Sequence, residues 1–213
     1  MGMARTTVRA RRDADRAGAD AGAAERRKQI LTEAGRLFAK QGFEGTSMRE
    51  IAAATGLLSG SLYYHFASKE ELFVAVYEAN IRAVGEAVEG AIEGIDDPWE
   101  CFEAAAIAHC EALLTGEKTS ILDAKFPPVL AQVRSQLIRA RDEHERLFDR
   151  LIAPLDLAAD IDRVLFRLHV LGALNSAILW YKPSSRLTPA DVARHVIKVL
   201  RYARQGAATA EVR

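Results

Sequence analysis

One short stretch of the chain, from Thr46 to Glu71, concentrates hydroxyl, aromatic and basic side chains that suit contact with a nucleic acid. Hydroxyl groups can bond to phosphate oxygens or to base edges, and glycine lets the backbone approach a groove closely. A row of two tyrosines and a histidine on one exposed turn is hard to explain by packing alone. The predicted DNA-contacting residues are Thr46, Ser59, Gly60, Ser61, Tyr63, Tyr64, His65 and Lys69.

Two short helices separated by a tight turn are predicted to position these side chains. Ser47 and Glu50 have the spacing of a capping box, which begins the first helix. Gly56 is placed to end that helix in a left-handed conformation. Ser59 is then expected to cap a second helix from Gly60 to His65. Two helices in this arrangement are typical of a helix-turn-helix.

This region closely resembles the DNA-binding domain of the TetR family of bacterial transcriptional regulators. The resemblance covers roughly Glu25 to Leu72, and the rest of the chain matches the family only in its helical plan and length. It is carried without a gap by Thr46, Glu50-Ile51-Ala52, Ala54, Gly56, Gly60, Leu62-Tyr63-Tyr64-His65-Phe66, Lys69 and Glu70-Glu71-Leu72.

The resemblance implies an all-α fold with an amino-terminal three-helix DNA-binding domain and a larger helical domain for ligand binding and dimerisation. We expect residues 25–71 to form the first domain and residues 72–205 the second. The expected partners are a palindromic double-stranded DNA operator, a second copy of the chain and a hydrophobic small-molecule effector. The residues expected to enter the major groove are Gly60, Ser61, Tyr63 and Tyr64, with Gly60 allowing close approach of the backbone. Phosphate contacts are predicted for Thr46, Tyr64, His65 and Lys69.

The charge distribution agrees with a DNA-binding amino-terminal end. The whole chain has 29 basic and 29 acidic residues, so its formal net charge is zero. Residues 1–69 hold 12 Lys and Arg against 7 Asp and Glu, a net charge of +5, and the remaining residues hold 17 against 22, a net charge of −5. A basic end on an acidic body is expected of a protein that presents one end to DNA.

Both ends of the chain are predicted to be poorly ordered. Residues 1–24 consist mostly of Ala, Gly, Arg and Asp without periodicity, which predicts a disordered, arginine-rich arm. This arm is either a solvated tail or a contact to phosphates and the minor groove. The first helix is expected over 25–41, and residues 206–213 are expected to be a frayed tail.

The second domain is predicted to contain long amphipathic helices. A helix should run from Glu70 to Gly90 or Gly94, another from Pro98 to Gly116, a short piece to Phe126, and a long one over 129–153. Residues 161–181 are apolar nearly all round, and the last helix follows the Thr188 cap. The excess apolar surface predicts a four-helix homodimer interface at Gly172, Ala173, Ser176, Ala177, Val192, Val196 and Val199.

The family resemblance also implies an effector cavity in the second domain. The segment Trp180-Tyr181-Lys182-Pro183 resembles the corresponding helix end in TetR-family regulators of fatty-acid and steroid breakdown, several of which respond to acyl-CoA thioesters. An acyl-CoA is therefore the first candidate, with Lys182 and Arg186 available to its phosphates. The predicted effector-binding residues are Trp99, Phe102, His109, Phe126, Phe148, Phe166, His169 and Trp180.

No motif of an enzyme, metal site or cofactor site is present in the sequence. Cys101 and Cys110 lie half a turn out of phase, so they cannot bridge each other within one helix, and we expect reduced cytosolic thiols. No signal peptide or membrane span is predicted, which favours a cytoplasmic protein. Two alternatives stay open: a TetR-like DNA-binding protein without an effector, whose second domain binds another protein, and an all-α enzyme.

Overall fold

The computed structural model describes residues 3–115, 128–184 and 186–210, with side chains described from residue 21 to residue 201 apart from Val129 and the gaps. These residues form helices and no strand, so the all-α prediction is confirmed. The elements are α1 (Met3–Gln41), α2 (Met48–Ala54), α3 (Ser59–His65), α4 (Lys69–Ile92), α5 (Pro98–Leu114), a 3-10 helix (Pro128–Val133), α6 (Arg134–Ile152), α7 (Arg163–Trp180) and α8 (Pro189–Ala210). None of the described helices is long and apolar enough to cross a membrane.

The chain divides into two compact units, residues 1–76 and residues 77–213. The first unit is held together by the apolar faces of α1, α2, α3 and the start of α4. Phe38, Phe43 and Phe73 form an aromatic triad, with ring centroids 5.2–5.8 Å apart. Such aromatic pairs add to the stabilisation from apolar burial. This core fixes the short helices α2 and α3, which could not be stable alone.

The capping signals around α2 are confirmed. The Ser47 hydroxyl accepts from the Glu50 backbone N–H at 3.2 Å, and the Glu50 carboxylate accepts from the Ser47 backbone N–H at 2.8 Å. Gly56 has a φ of 67°, the left-handed conformation that glycine adopts without strain. Both ends of α2 are therefore fixed by local signals.

The start of α3 differs from the prediction. Ser59 is the first residue of the helix instead of its cap, and Leu58 occupies the cap position with no side-chain hydrogen bond. The Leu58 carbonyl oxygen accepts from the backbone N–H groups of Ser61 and Leu62, which begins the helix without a polar cap. The Ser59 side chain is therefore not needed for capping.

The two ends of the chain also differ from the prediction. α1 begins at Met3 instead of Glu25, and α8 continues to Ala210 instead of ending at residue 205. Alanine and arginine have high helix propensity, and no proline interrupts either segment, so continuing the helix is favoured locally. Compositional bias alone was a poor guide to helix ends here.

The second unit is built around α5, which packs against α6, α7 and α8. Asp97 caps α5 by accepting from the backbone N–H groups of Trp99 and Glu100, as the sequence predicts. The Thr188 and Asp191 side chains form the cap of α8, which is also confirmed. α6 begins at Arg134 after a 3-10 helix, a common way for an α-helix to begin. The predicted short piece ending at Phe126 lies outside the described residues.

α7 is shorter than the predicted helix over 161–181. Asp162 caps it by accepting from the Leu165 backbone N–H at 2.9 Å, and Tyr181 ends it in an extended conformation. Pro183, two residues after Tyr181, explains this end of the helix, because proline has no backbone N–H to donate to a helical hydrogen bond. Asp162 is a capping signal that the sequence analysis overlooked.

Candidate DNA-binding surface and effector cavity

The α3 helix presents one buried face and one exposed face. Leu62 and Phe66 are buried in the first unit and hold the helix in place. Tyr63 and Tyr64 are exposed on the other face, with 89% of the Tyr64 surface accessible. Ser59, Gly60 and Ser61 are exposed as well, and a Cβ atom placed at Gly60 would meet nothing within 4 Å.

Thr46 and Lys69 both have structural partners, which argues against a phosphate contact through the Thr46 hydroxyl and leaves Lys69 one donor for such a contact. Thr46 is only 1% exposed, and its hydroxyl donates to the Gly42 carbonyl oxygen at 2.7 Å. The Lys69 ammonium donates to the carbonyl oxygens of Phe43 and Thr46, both at 2.8 Å, and lies 4.3 Å from the centre of the Phe43 ring. These contacts use two of its three donors and stabilise the link between α1 and α2.

Leu58 is a surface residue that the sequence analysis did not select. It is 80% exposed and lies directly before α3. An exposed apolar side chain next to a recognition helix can contact the methyl group of thymine. The signal was available, because the turn Gly56-Leu57-Leu58 has two large apolar residues where polar ones are common.

Most of the predicted effector-binding aromatics pack against one another, which corrects that part of the prediction. Phe102 lies 6.1–6.3 Å, between ring centroids, from Trp99, Phe148 and Phe166. All four are buried, and none of them lines the cavity between α4 and α6 or the cavity between α4, α5, α6 and α7. His169 and Trp180 are exposed, and Phe126 lies outside the described residues. Aromatic spacing could not distinguish a core from a cavity wall.

An apolar cavity of about 360 Å³ lies between α4, α5, α6 and α7. Of the predicted effector-binding residues that the structure describes, only His109 lines it. Lys182 and Arg186 are exposed and are not among its lining residues. Its apolar wall consists of Ile81, Val84, Leu113, Leu168, Leu171, Ile178 and Leu179, and its polar lining of Tyr77, His109, Arg141, His144, Glu145, Asn175 and Ser176.

Two histidines and an asparagine form a hydrogen-bonded chain at the wall of this cavity. His109 Nδ1 lies 3.2 Å from His144 Nε2, and His109 Nε2 lies 2.8 Å from Asn175 Oδ1. His144 is 8% exposed, and its Nδ1 has no hydrogen-bond partner among the described residues. Burial lowers the pKa of His144 to about 3, with a further contribution from His109. Burial also lowers the pKa of His109, so both rings are neutral at physiological pH.

A charge-balanced cluster borders the same cavity. Arg167 lies 3.2 Å from Glu145 and 3.1 Å from Asp149, and it is 13% exposed. Arg141 Nε lies 3.2 Å from Glu145, but its N–H is not aligned with that oxygen, so the contact is an ion pair without a hydrogen bond. Two guanidinium groups and two carboxylates neutralise each other. Burial raises the pKa of Tyr77 to about 12, so this phenol also stays neutral.

A second cavity of about 550 Å³ lies between α4 and α6 and has a charged lining. Glu78, Arg82, Glu86, Arg139 and Glu143 are among its residues. A lining of mixed charges suits water and ions better than an apolar molecule. The smaller cavity is therefore the better candidate for a hydrophobic effector.

Exposed apolar side chains cover one face of α7, and Val199 of α8 is exposed as well. Ala173, Gly172, Ser176 and Val199 of the predicted dimer interface are exposed, and Val196 is half-buried. Ala177 and Val192 are instead buried within the protomer, which corrects their assignment. The neighbouring exposed residues are Val164, Leu165, Leu168, Leu179 and Trp180. Exposed apolar side chains along one helix face are typical of interaction sites.

The helix-turn-helix and the cavity-containing helical body define a class of ligand-binding transcriptional regulators. The family model for bacterial regulatory proteins of the tetR family matches residues 30–76, and the tetracyclin repressor-like C-terminal domain matches residues 96–203. The chain belongs to the TetR family, and it is a DNA-binding transcriptional regulator and not an enzyme.

Individual relatives are similar to this protein over most of its length. The transcriptional repressor KstR2 of Mycobacterium tuberculosis is 25% identical over 181 residues, which cover 82% of this chain and 90% of KstR2. The structure of PfmR from Thermus thermophilus is 30% identical, covers 80% of this chain and 95% of its own, and has a TM-score of 0.64. AibR, in complex with isovaleryl coenzyme A and operator DNA, is 25% identical, covers 82% and 97%, and has a TM-score of 0.69.

Proposed function

We propose that this protein is a cytoplasmic, homodimeric repressor that a hydrophobic small molecule releases from a palindromic operator. The observation that carries the proposal is the apolar cavity of about 360 Å³ in the second unit, three of whose wall residues lie on α4. α4 is one uninterrupted helix whose first turns belong to the DNA-binding unit. A ligand in the cavity therefore contacts the element that continues into that unit.

Operator binding is proposed for the exposed face of α3. Ser59, Gly60, Ser61 and Tyr63 enter the major groove, and Tyr64 contacts both bases and phosphate. His65 is half-buried beside Tyr64, with their ring centroids 5.8 Å apart, and it contacts the DNA backbone. Two copies of α3 in a homodimer read the two half-sites of the palindrome.

The exposed α7–α8 face is the proposed dimer interface. Dimer formation through this face would bury the large exposed apolar side chains of α7. Burial of apolar surface is the main favourable contribution to the free energy of association. The interface also fixes the separation of the two α3 helices, so that a shift of α4 in each subunit changes the match to the half-sites.

An acyl-CoA is the proposed effector class. AibR, a similar protein, was solved with isovaleryl coenzyme A and operator DNA, which supports this choice. The cavity accepts an apolar acyl chain through its leucine, isoleucine and valine wall. The ligand releases the operator only if it binds the DNA-incompetent state more tightly than the DNA-competent state. Such coupling typically changes the affinity for the other ligand, here the operator, by a factor of about 5–150.

Operator release tests the proposal. DNA selected from a random library by the purified protein is labelled, and its release is followed by fluorescence anisotropy with acyl-CoAs of several chain lengths, the matching free acids, and CoA alone. Release by the thioesters alone supports the acyl-CoA assignment. Equal release by the free acids would identify a general lipid site, and no release by any compound would contradict an effector of this class.

A further inference from the structure

One buried histidine of the second unit has an unpaired ring nitrogen. His144 is nearly fully buried, lines both the apolar cavity and the charged cavity between α4 and α6, and has no partner for Nδ1 among the described residues. Leaving a buried polar group unpaired is costly, and most such groups in folded proteins have a partner. The question is whether this nitrogen is a donor or an acceptor, because that decides what a ligand must offer.

The hydrogen-bonded chain answers this question, because its far end is an acceptor. Asn175 Oδ1 can only accept, so His109 Nε2–H donates to it at 2.8 Å. A neutral His109 then has an unprotonated Nδ1, which accepts from His144 Nε2–H at 3.2 Å. The unpaired Nδ1 of a neutral His144 is consequently an acceptor that lacks a donor.

The charges near this nitrogen favour a neutral donor over an anion. Arg141 is paired with Glu145, and Arg167 bridges Glu145 and Asp149. Each guanidinium group is thereby balanced by a carboxylate. Arg141 Nε–H has no hydrogen-bond partner in the part of the chain that the structure describes and can donate to a ligand oxygen, but a carboxylate, which only accepts, would face a lone pair at His144. A cationic ligand would instead lose its hydration in a largely apolar cavity.

We propose that the effector carries a neutral O–H or N–H donor that bonds to His144 Nδ1, with its apolar part along the leucine, isoleucine and valine wall. This inference rests on the proposed effector site and specifies the ligand that the site selects. An alcohol provides the donor as O–H. The amide groups of a pantetheine arm provide it as N–H, so the inference is compatible with an acyl-CoA. In an acyl-CoA, the donor to His144 would be the pantetheine amide nearest the thioester.

The tautomer of His144, observed without and with a ligand, provides the first test. In protein with ¹⁵N-labelled histidine, the nitrogen shifts of His144 distinguish an unprotonated Nδ1 from a protonated one. The inference predicts an unprotonated Nδ1 and a protonated Nε2 at neutral pH, and a shift of the Nδ1 signal when decanol is added. A protonated Nδ1 would mean that the chain runs in the opposite direction, and it would overturn the inference.

The second test compares the binding of four probes that share a ten-carbon chain. Decanol offers O–H, S-decanoyl-N-acetylcysteamine offers N–H without any phosphate, methyl decanoate offers no donor, and decanoate is an anion. We expect calorimetry to show that decanol or the cysteamine thioester binds about tenfold more tightly than methyl decanoate, the worth of one buried hydrogen bond. The preferred probe of the two identifies the donor as O–H or N–H.

Two variants at one position separate the hydrogen bond from packing. His144→Gln keeps an amide near Nε2 for His109 but removes the acceptor at Nδ1, and we expect the donor preference to fall to less than about twofold. His144→Asn places its Oδ1 near the Nδ1 position, so the preference should be retained in part. Equal binding of methyl decanoate and both donor probes to the unmodified protein would overturn the inference alone. Failure of all four probes to bind would overturn the proposed effector site as well.

Discussion

At the residue scale, neighbouring side chains in this protein serve unrelated purposes, which only their burial distinguishes. Leu62 is fully buried, whereas Tyr63 and Tyr64 are exposed. Lys69 and Thr46, which also look like DNA contacts in the sequence, have backbone partners within the first unit. The sequence could show that these residues belong to a DNA-binding motif. It could not show which of them remain free to bind DNA, because for Lys69 that depends on contacts across 23 or more positions of the chain.

The two exposed tyrosines should determine which operator is recognised. The double variant Tyr63→Ala/Tyr64→Ala is expected to lose about 1–3 kcal/mol of discrimination for each base contact removed. Anisotropy with the selected operator and a scrambled duplex measures this. Tyr63→Phe, which removes only a hydroxyl, is the matched control. Unchanged operator preference in the double variant would exclude α3 as the recognition helix.

Lys69 should contribute to stability more than to DNA affinity. Lys69→Ala leaves the carbonyl oxygens of Phe43 and Thr46 without their donor, and a loss of about 1–3 kcal/mol in the free energy of unfolding is expected. Urea denaturation measures it, with the exposed Lys40→Ala as control. Unchanged stability, together with a salt dependence of DNA binding reduced by about one unit of slope, would instead support a phosphate contact.

The buried histidine pair predicts a loss of stability in acid. The lowered pKa of His144 and His109 means that the unfolded chain binds protons below about pH 6.5 while the folded protein does not. The free energy of unfolding should therefore fall as the pH decreases, by up to about 1.4 kcal/mol per pH unit for each histidine. His144→Gln should reduce this slope between pH 6 and about 4, because the unfolded state then gains one proton fewer. The same slope in His144→Gln as in the exposed-site control His195→Gln would show that His144 is not held neutral.

At the element scale, the sequence predicted several of the helix ends that depend on local signals, although the predicted Ser59 cap of α3 is absent. The capping box at Ser47, the left-handed Gly56, and the caps of α5 and α8 are all set by residues within one turn, and all are confirmed. The aromatic residues of α5, α6 and α7 were predicted to line a cavity and pack together instead. Helical spacing shows that a residue faces inward, but whether it meets a side chain or a cavity depends on how the helices pack.

The exposed face of α7 should hold the dimer together. Ala173→Glu places a charge on this face. Burying an unpaired charge in a dry interface costs about 3–5 kcal/mol. Sedimentation velocity should therefore show monomers for Ala173→Glu and dimers for the matched control Ala173→Ser. A dimer of unchanged affinity in the Glu variant would place the interface elsewhere.

At the scale of the whole molecule, two units with opposite charge share one long helix. The basic amino-terminal residues, with a net charge of +5 over residues 1–69, favour association with DNA and make it salt-dependent. The cavity lies in the acidic second unit, and α4 supplies Tyr77, Ile81 and Val84 to its wall. The sequence indicated this division through its charges and its family motif. The polar lining of the cavity became apparent only from the packing, which brings together His109, His144 and Asn175 from three helices.

Reciprocal coupling between ligand and DNA tests the central claim most directly. The operator dissociation constant is measured by anisotropy at increasing concentrations of decanoyl-CoA, and the ligand dissociation constant is measured by calorimetry with free and operator-bound protein. We predict that the operator dissociation constant rises to a plateau, and that the ligand binds the operator-bound protein more weakly by the same factor, about 5–150-fold. Ligand binding with an unchanged operator dissociation constant would contradict the account.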